Sequence, residues 1–197
     1  NIRSLMNDYD IITNAGWQNL TKTRYMHYAS NHAFLRVDSN HKISRVDIAK
    51  IPLQKYYIIA VSDYDKGFLK EEDIKYICQN HANVFVDTKK ILGGWADKAK
   101  FIKVNDHEYE RSEGRISKSL ENKIIRTRGD GGATFRGKTY PVKKVEVKDL
   151  SGAGDSFFAA LIVKYIQTAD IEKSIIFANQ CACQVVQHRG VTIIEKI

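Results

Sequence analysis

The sequence is poor in the residues that staple or stiffen a chain. It holds three cysteines, Cys78, Cys181 and Cys183, and two prolines in 197 residues. An odd cysteine count at these spacings points to a reducing, cytoplasmic setting. Cys181 and Cys183 lie two apart in a helical pattern, on nearly opposite sides, so they cannot pinch one metal ion. With no second cluster, zinc is not expected, and small buried thiols are the simpler reading. So few prolines exclude a proline-rich linker or tail. No apolar run reaches the roughly 18 residues that a membrane helix needs. The opening Asn1-Ile2-Arg3-Ser4 lacks the apolar core of a secretory signal. There is no internal repeat and no low-complexity segment. The chain opens on Asn1 rather than Met, as a piece of a longer protein would.

What is present is the composition of a globular protein. Hydrophobic residues make up 43% and charged residues 27%, which excludes a disordered chain, a collagen-like fibre and a disulfide scaffold. A chain of this length makes one domain or slightly more and buries roughly 70% of its unfolded surface. The net charge is +8, which favours anionic partners such as phosphorylated small molecules or nucleic acid. The basic residues are spread out, and no cationic run with interleaved aromatics resembles an RNA-binding signature. A nucleic-acid reading therefore rests on charge alone, and a solvated basic surface explains the same count. Neither nucleic acid nor membrane is expected as a partner.

Periodicity predicts alternating strands and helices. Thr23 to Asp38 alternates around Ser30-Asn31-His32 and reads as a hairpin. Tyr56 to Val61 is a continuous apolar run, predicted to be a strand buried on both faces. Ile74, Ile77, Cys78 and His81 form a helical stripe. Val84–Val86, Phe101–Val104 and Lys123–Thr127 follow as strands. Gly129–Gly132 is a tight turn, and Ala133 to Val147 reads as antiparallel hairpin strands. Two helices come next, one from Gly154 and one carrying Ile175, Ala178, Ala182 and Val185. A short strand, Val191 to Ile194, closes the chain. The pattern is that of an α/β protein with a mostly parallel sheet.

Each apolar strand ends in polar residues: Ser62-Asp63, Asp87-Thr88-Lys89, Asn105-Asp106-His107-Glu108 and Thr127-Arg128-Gly129. Open α/β sheets bind ligands at those ends, although Asp and Asn also cap helices and turns. The strongest local signal is Asp149-Leu150-Ser151-Gly152-Ala153-Gly154-Asp155. Small residues opening a helix let a ligand approach the backbone. The unpaired N–H groups and the helix dipole there attract an anion. Asp155 in the first turn is placed to take a proton from an attacking hydroxyl. The plain alternative is that Asp155 only complements the helix terminus and the glycines only form a turn.

This segment resembles the C-terminal signature of the ribokinase/phosphofructokinase-B family of sugar kinases. The likeness runs from about residue 20 to the end. Thr21-Lys22-Thr23-Arg24, Asn31 and Leu35-Arg36-Val37-Asp38 look like the lid of the heptose 7-phosphate kinases. Ser62-Asp63-Tyr64-Asp65-Lys66-Gly67 resembles their S-D-Y-x-K-G segment, and Asp87-Thr88-Lys89 their D-P-K with Thr88 in place of proline. Asn105–Glu108 fits N-x-x-E, Thr127–Gly129 fits T-x-G, and Phe177-Ala178-Asn179 fits F-A-N. No G-G-x-x-N sugar motif is found. The G-x-x-x-x-G-K-[ST] phosphate loop is also missing, but this family binds phosphate without one.

The resemblance implies a ribokinase-like three-layer α/β fold with a mostly parallel sheet and a small β lid, lacking the N-terminal part of the family fold. Residues 1–197 would form one kinase domain, with the lid hairpin at about 21–38. It implies Asp155 as catalytic base, with Gly152, Ala153 and Gly154 forming the anion hole. It places Asn105, Asp106, His107, Glu108, Thr127, Arg128, Gly129 and Asn179 near ATP, with Glu108 near Mg²⁺. Arg36, Asp63 and Lys89 are the candidate contacts to a phosphorylated sugar; for Arg36 and Lys89 a solvated surface cation is the alternative. The expected reaction moves the γ-phosphoryl group of ATP to a sugar hydroxyl, most like the anomeric hydroxyl of heptose 7-phosphate. The alternative is a truncated, inactive nucleotide-binding or partner-binding homologue. The alternating lid strands suggest a homodimer.

Overall fold

The computed structural model describes residues 9–13, 19–28, 32–39 and 43–190. Two strands, β1 (Lys22–Met26) and β2 (Ala33–Asp38), form a separate antiparallel hairpin. A six-stranded sheet follows: β3 (Ile59–Asp63), β4 (Val84–Thr88), β5 (Phe101–Asn105), β6 (Ile124–Thr127), β7 (Ala133–Phe135) and β8 (Lys138–Tyr140). These lie side by side in sequence order. β3 to β6 run parallel, and β7 and β8 run antiparallel. The helices are α1 (Glu71–Asn80), α2 (Asp106–Ser112), α3 (Lys118–Glu121), α4 (Ala153–Thr168) and α5 (Ile171–Val186).

The period of two along each strand splits the core into two layers. Phe85, Phe101 and Ile125 pack with α4 and α5. Val84, Val86, Ile102, Val104 and Ile124 pack on the other face with α1. The sheet is thus the middle of three layers. Phe85, Phe101 and Tyr165 meet with ring centroids 5.2–5.7 Å apart, each pair adding about 0.5–1.5 kcal/mol beyond its buried area. Helix ends are set locally. Asp170 accepts from the Glu172 and Lys173 N–H groups to start α5. Asn105 and Glu108 bond reciprocally across the first turn of α2, the capping-box arrangement.

Three expectations change. The run Tyr56–Val61 is not a strand buried on both faces: β3 begins at Ile59, and of its residues only Val61 and Asp63 are buried. It is an edge strand of the described sheet, so one side lacks a covering neighbour. The hairpin after the Gly129–Gly132 turn stops at Tyr140 rather than Val147. Pro141 follows it and cannot donate to a ladder. The helix expected from Gly154 starts one residue earlier, at Ala153. The expected strand Val191–Ile194 and the lid residue Asn31 lie outside the described residues. Cys78 and Cys181 are buried, which pushes their thiols up to about 12 and about 11, protonated and inert.

Candidate active site

The site is built on the carboxyl ends of β4 and β5. Phe85 pairs with Phe101 across these strands, and two residues on Asp87 pairs with Lys103. The same periodicity that turns the phenylalanines toward α4 turns this charged pair the same way. Lys103 Nζ donates to Asp87 Oδ2 at 3.0 Å. Both residues are buried, at 4% and 6% exposure. Asp87 Oδ1 has no hydrogen-bond partner among the described residues. Burial pushes the Asp87 carboxyl up, and the Lys103 ammonium opposes that shift.

The N-terminus of α4 sits over this pair. Asp149 holds the preceding loop, accepting from the Ser151 N–H at 2.8 Å and the Gly190 N–H at 3.0 Å. Gly152 takes a left-handed conformation, φ +80°, and turns the chain into the helix. The Ala153 N–H is taken by Leu150 O and the Ser156 N–H by Gly152 O. The Gly154 and Asp155 N–H groups have no acceptor among the described residues. A Cβ on Gly154 would lie 3.1 Å from Lys103 Nζ. The glycine therefore lets the helix terminus come down onto the ammonium.

Asp155 is exposed beside this terminus. Its Oδ1 accepts from the Tyr64 hydroxyl at 2.5 Å. Burial, with Asp155 as the second cause, raises the Tyr64 phenol well above its ordinary range, so it stays a donor. Lys22 of the hairpin stands 4.4 Å from the Tyr64 ring centroid, and Lys89 stands 5.9 Å from it. Lys89 donates to Glu108 Oε1. Burial works against the Lys89 charge, yet Glu108, Asp87 and Asp155 hold its proton and raise its pKa overall. Positive and negative groups thus alternate from the hairpin to the sheet.

The other expected residues divide. Thr127 pairs in register with Asn105 at the neighbouring strand end, and its hydroxyl donates to Val104 O at 3.2 Å. Arg128 and Gly129 open the tight turn, closed by the Arg128 N–H on Gly132 O at 2.7 Å. Asp106 pairs with Arg126, and His107 is exposed. Asp63 is engaged within the chain, accepting from Thr88 Oγ1 at 2.9 Å and from the Asp65 N–H at 3.1 Å. Arg36 forks onto Asp38 within the hairpin. Asn179 is buried and donates to Tyr140 O at 2.8 Å, tying α5 to the far edge of the sheet.

Glu108, expected near Mg²⁺, has both oxygens engaged, one by Lys89 and one by the Asn105 N–H. Among the described residues no group of three or more His, Cys, Asp or Glu side chains gathers to hold a metal ion. These side chains thus form no all-protein cage; Mg²⁺ ordinarily takes one or two carboxylates together with substrate phosphates and waters, and Glu108 is the carboxylate present for that role. Sequence reasoning missed Tyr64, Lys22, Lys103 and the pairing role of Asp87. For Lys103 a signal existed: a lysine inside the apolar strand Phe101-Ile102-Lys103-Val104.

Comparison with known proteins bears on the family and the fold. The description "pfkB family carbohydrate kinase" matches residues 17–197. The bifunctional protein HldE of Nitratiruptor sp. is 30% identical over 188 residues, covering 82% of this chain and 41% of that protein. HldE of Blochmanniella floridana is 27% identical over 203 residues, covering 89% and 42%. The chain thus spans about two fifths of the length of these curated relatives. Ribokinase from Thermotoga maritima superposes with a TM-score of 0.66 at 15% identity, covering 86% of this chain and 64% of that one. Phosphofructokinase-2 from Escherichia coli, in complex with potassium, gives 0.62 at 16%, covering 86% and 65%. At those identities the likeness establishes the ribokinase-like fold. The match over residues 17–197 establishes the family: the chain belongs to the pfkB family of carbohydrate kinases.

Proposed function

We propose that this chain carries the phosphoryl-transfer site of an ATP-dependent sugar kinase. The observation that carries the reading is the α4 terminus: two unclaimed N–H groups at Gly154 and Asp155, with a carboxylate beside them and a lysine beneath. In the proposed reaction Asp155 takes the proton from a sugar hydroxyl. The hydroxyl oxygen bonds to the γ-phosphorus, and the bond to the β-phosphate oxygen breaks, releasing ADP. Asp155 Oδ1 is held by Tyr64, which leaves Oδ2 for the hydroxyl. A base so placed supplies roughly 10²–10⁴-fold in rate. Gly152, Ala153 and Gly154 present the helix terminus to the charge that spreads over the transferred group.

The ATP side of the site is assigned to Asn105, Asp106, His107, Glu108, Thr127, Arg128, Gly129 and Asn179. Asn179 also ties α5 to Tyr140, and Asn105 caps α2. Lys89, Arg36 and Asp63 are assigned to the acceptor side. The acceptor is a phosphorylated sugar, most like the anomeric hydroxyl of heptose 7-phosphate. That choice rests on the Ser62–Gly67 and Leu35–Asp38 segments. The exposed apolar side chains Phe34, Leu35 and Val37 on β2 support pairing with a second copy of the chain.

The test is ADP release with Mg-ATP and heptose 7-phosphate, fructose 6-phosphate or ribose, with Asp155→Asn as the control. Turnover with one sugar, lost in the control, is the expected result. Turnover that survives in Asp155→Asn overturns the mechanism. ATP binding without turnover of any sugar favours the nucleotide-binding homologue instead.

A further inference from the structure

A lysine inside a strand of the central sheet needs an explanation. Lys103 follows Phe101 and Ile102 and precedes Val104, all of them buried. Taking an ammonium and a carboxylate out of water costs several kcal/mol per ion, and apolar residues of similar size often stabilise such a site. Packing therefore does not account for Lys103 and Asp87. Their pairing is also incomplete, because Asp87 Oδ1 is buried with no hydrogen-bond partner among the described residues.

The direction of the side chain supplies the reason. Strand register aims Lys103 at α4, and its ammonium ends beneath Gly154. A Cβ there would stand 3.1 Å from the ammonium, a tight contact that the glycine relieves. The two unclaimed N–H groups of Gly154 and Asp155 and the Lys103 charge then act on one small region. Lys103 itself is buried, so its charge is screened less than that of a surface lysine. A lysine supplies it as a compact point charge.

We propose that Lys103 is the fixed cation of the α4 anion site, a positioning residue that holds phosphoryl oxygens at the Gly154 and Asp155 N–H groups, with Asp87 as its counter-ion. This rests on the reading of the α4 terminus as the phosphoryl site. The ligand class is the terminal phosphate of a polyphosphate chain, not the nucleoside.

The test is calorimetric titration of the chain with ATP, inorganic tripolyphosphate and adenosine. The variants are Lys103→Met and the paired Asp87→Leu/Lys103→Met, which leaves no unpaired buried carboxylate if the single variant folds poorly. The expected result is a loss of roughly tenfold to a hundredfold in affinity for ATP and tripolyphosphate, the range for one charge-assisted interaction. Adenosine affinity stays the same. Folded variants that bind tripolyphosphate as tightly as the parent chain overturn the proposal. So does an equal loss for adenosine, which marks Lys103 as merely structural. A parent chain that binds neither ATP nor tripolyphosphate removes the phosphoryl-site reading itself, and this proposal with it.

Discussion

Gly132 ends the tight turn that carries the Thr127–Gly129 segment into β7. Its φ is +81° and its ψ −127°, a conformation that is nearly the preserve of glycine. A Cβ there would stand 2.2 Å from Tyr140 O and 3.1 Å from two backbone atoms of Pro141. Backbone cannot swing aside as a flexible side chain can. Gly132→Ala therefore combines about 1–2 kcal/mol of backbone strain with an overlap that must push β8 away. The same Tyr140 carbonyl accepts from Asn179, so that bond is disturbed as well. The expected total is roughly 3–5 kcal/mol, at the high end for a single substitution. At about 2–4 °C per kcal/mol for a chain of this size, the midpoint of thermal unfolding falls by roughly 6–20 °C. Gly152→Ala is the control. Its φ is +80°, but a Cβ meets nothing within 4 Å, so only the strain of about 1–2 kcal/mol remains. Thermal unfolding followed by circular dichroism compares the two. Equal midpoints for both variants would refute the argument that the Tyr140 contact, and not the φ value, decides the cost.

Replacing Asn179 by Leu removes the side-chain donor to the Tyr140 carbonyl and is expected to cost about 0.5–1.5 kcal/mol in urea unfolding; no loss would free Asn179 from its bracing role. Arg45 grips the Asp73 carboxylate at 2.7 and 2.8 Å, and this bond holds the Asp73 carboxyl below its ordinary value against the opposing effect of burial. A depressed folded value means the contribution is whole above the unfolded value of about 4 and is lost as pH falls through the folded one. Asp73→Asn should therefore lower stability at neutral pH, flatten its decline below about pH 4 and converge with the parent in strong acid; parallel curves count against it. Tyr64→Phe removes the donor to Asp155, and a fall in kcat of roughly fivefold, with KM little changed, is expected from one lost hydrogen bond; an unchanged kcat shows that Tyr64 does not position the base. Phe34→Glu on the exposed face of β2 should convert a dimer to a monomer in sedimentation at micromolar concentration, whereas a parent chain that is already monomeric removes the pairing proposal.

Much of this was legible in one sequence. Apolar runs marked β4, β5 and β6, and the small residues at Gly152–Gly154 marked the start of α4. Polar residues after each strand marked the edge that carries the proposed site. The errors have physical causes. Tyr56–Val61 has the composition of a buried strand, but composition cannot tell an edge strand from a central one. Ala133–Val147 alternates convincingly, yet Pro141 stops the ladder.

Local chemistry sufficed for the elements themselves, because periodicity, capping residues and turn glycines act over only a few residues. The sequence alone thus determined the α/β class, the family likeness and the place of Asp155 in the first turn of α4. Tertiary structure decided what stands around them. Tyr64 reaches Asp155 across 91 residues of chain, Lys103 meets Asp87 only through the register of β4 and β5, and Lys22 meets Tyr64 only through the seat of the hairpin. Such contacts depend on how layers pack and strands align, and no local pattern encodes that distance.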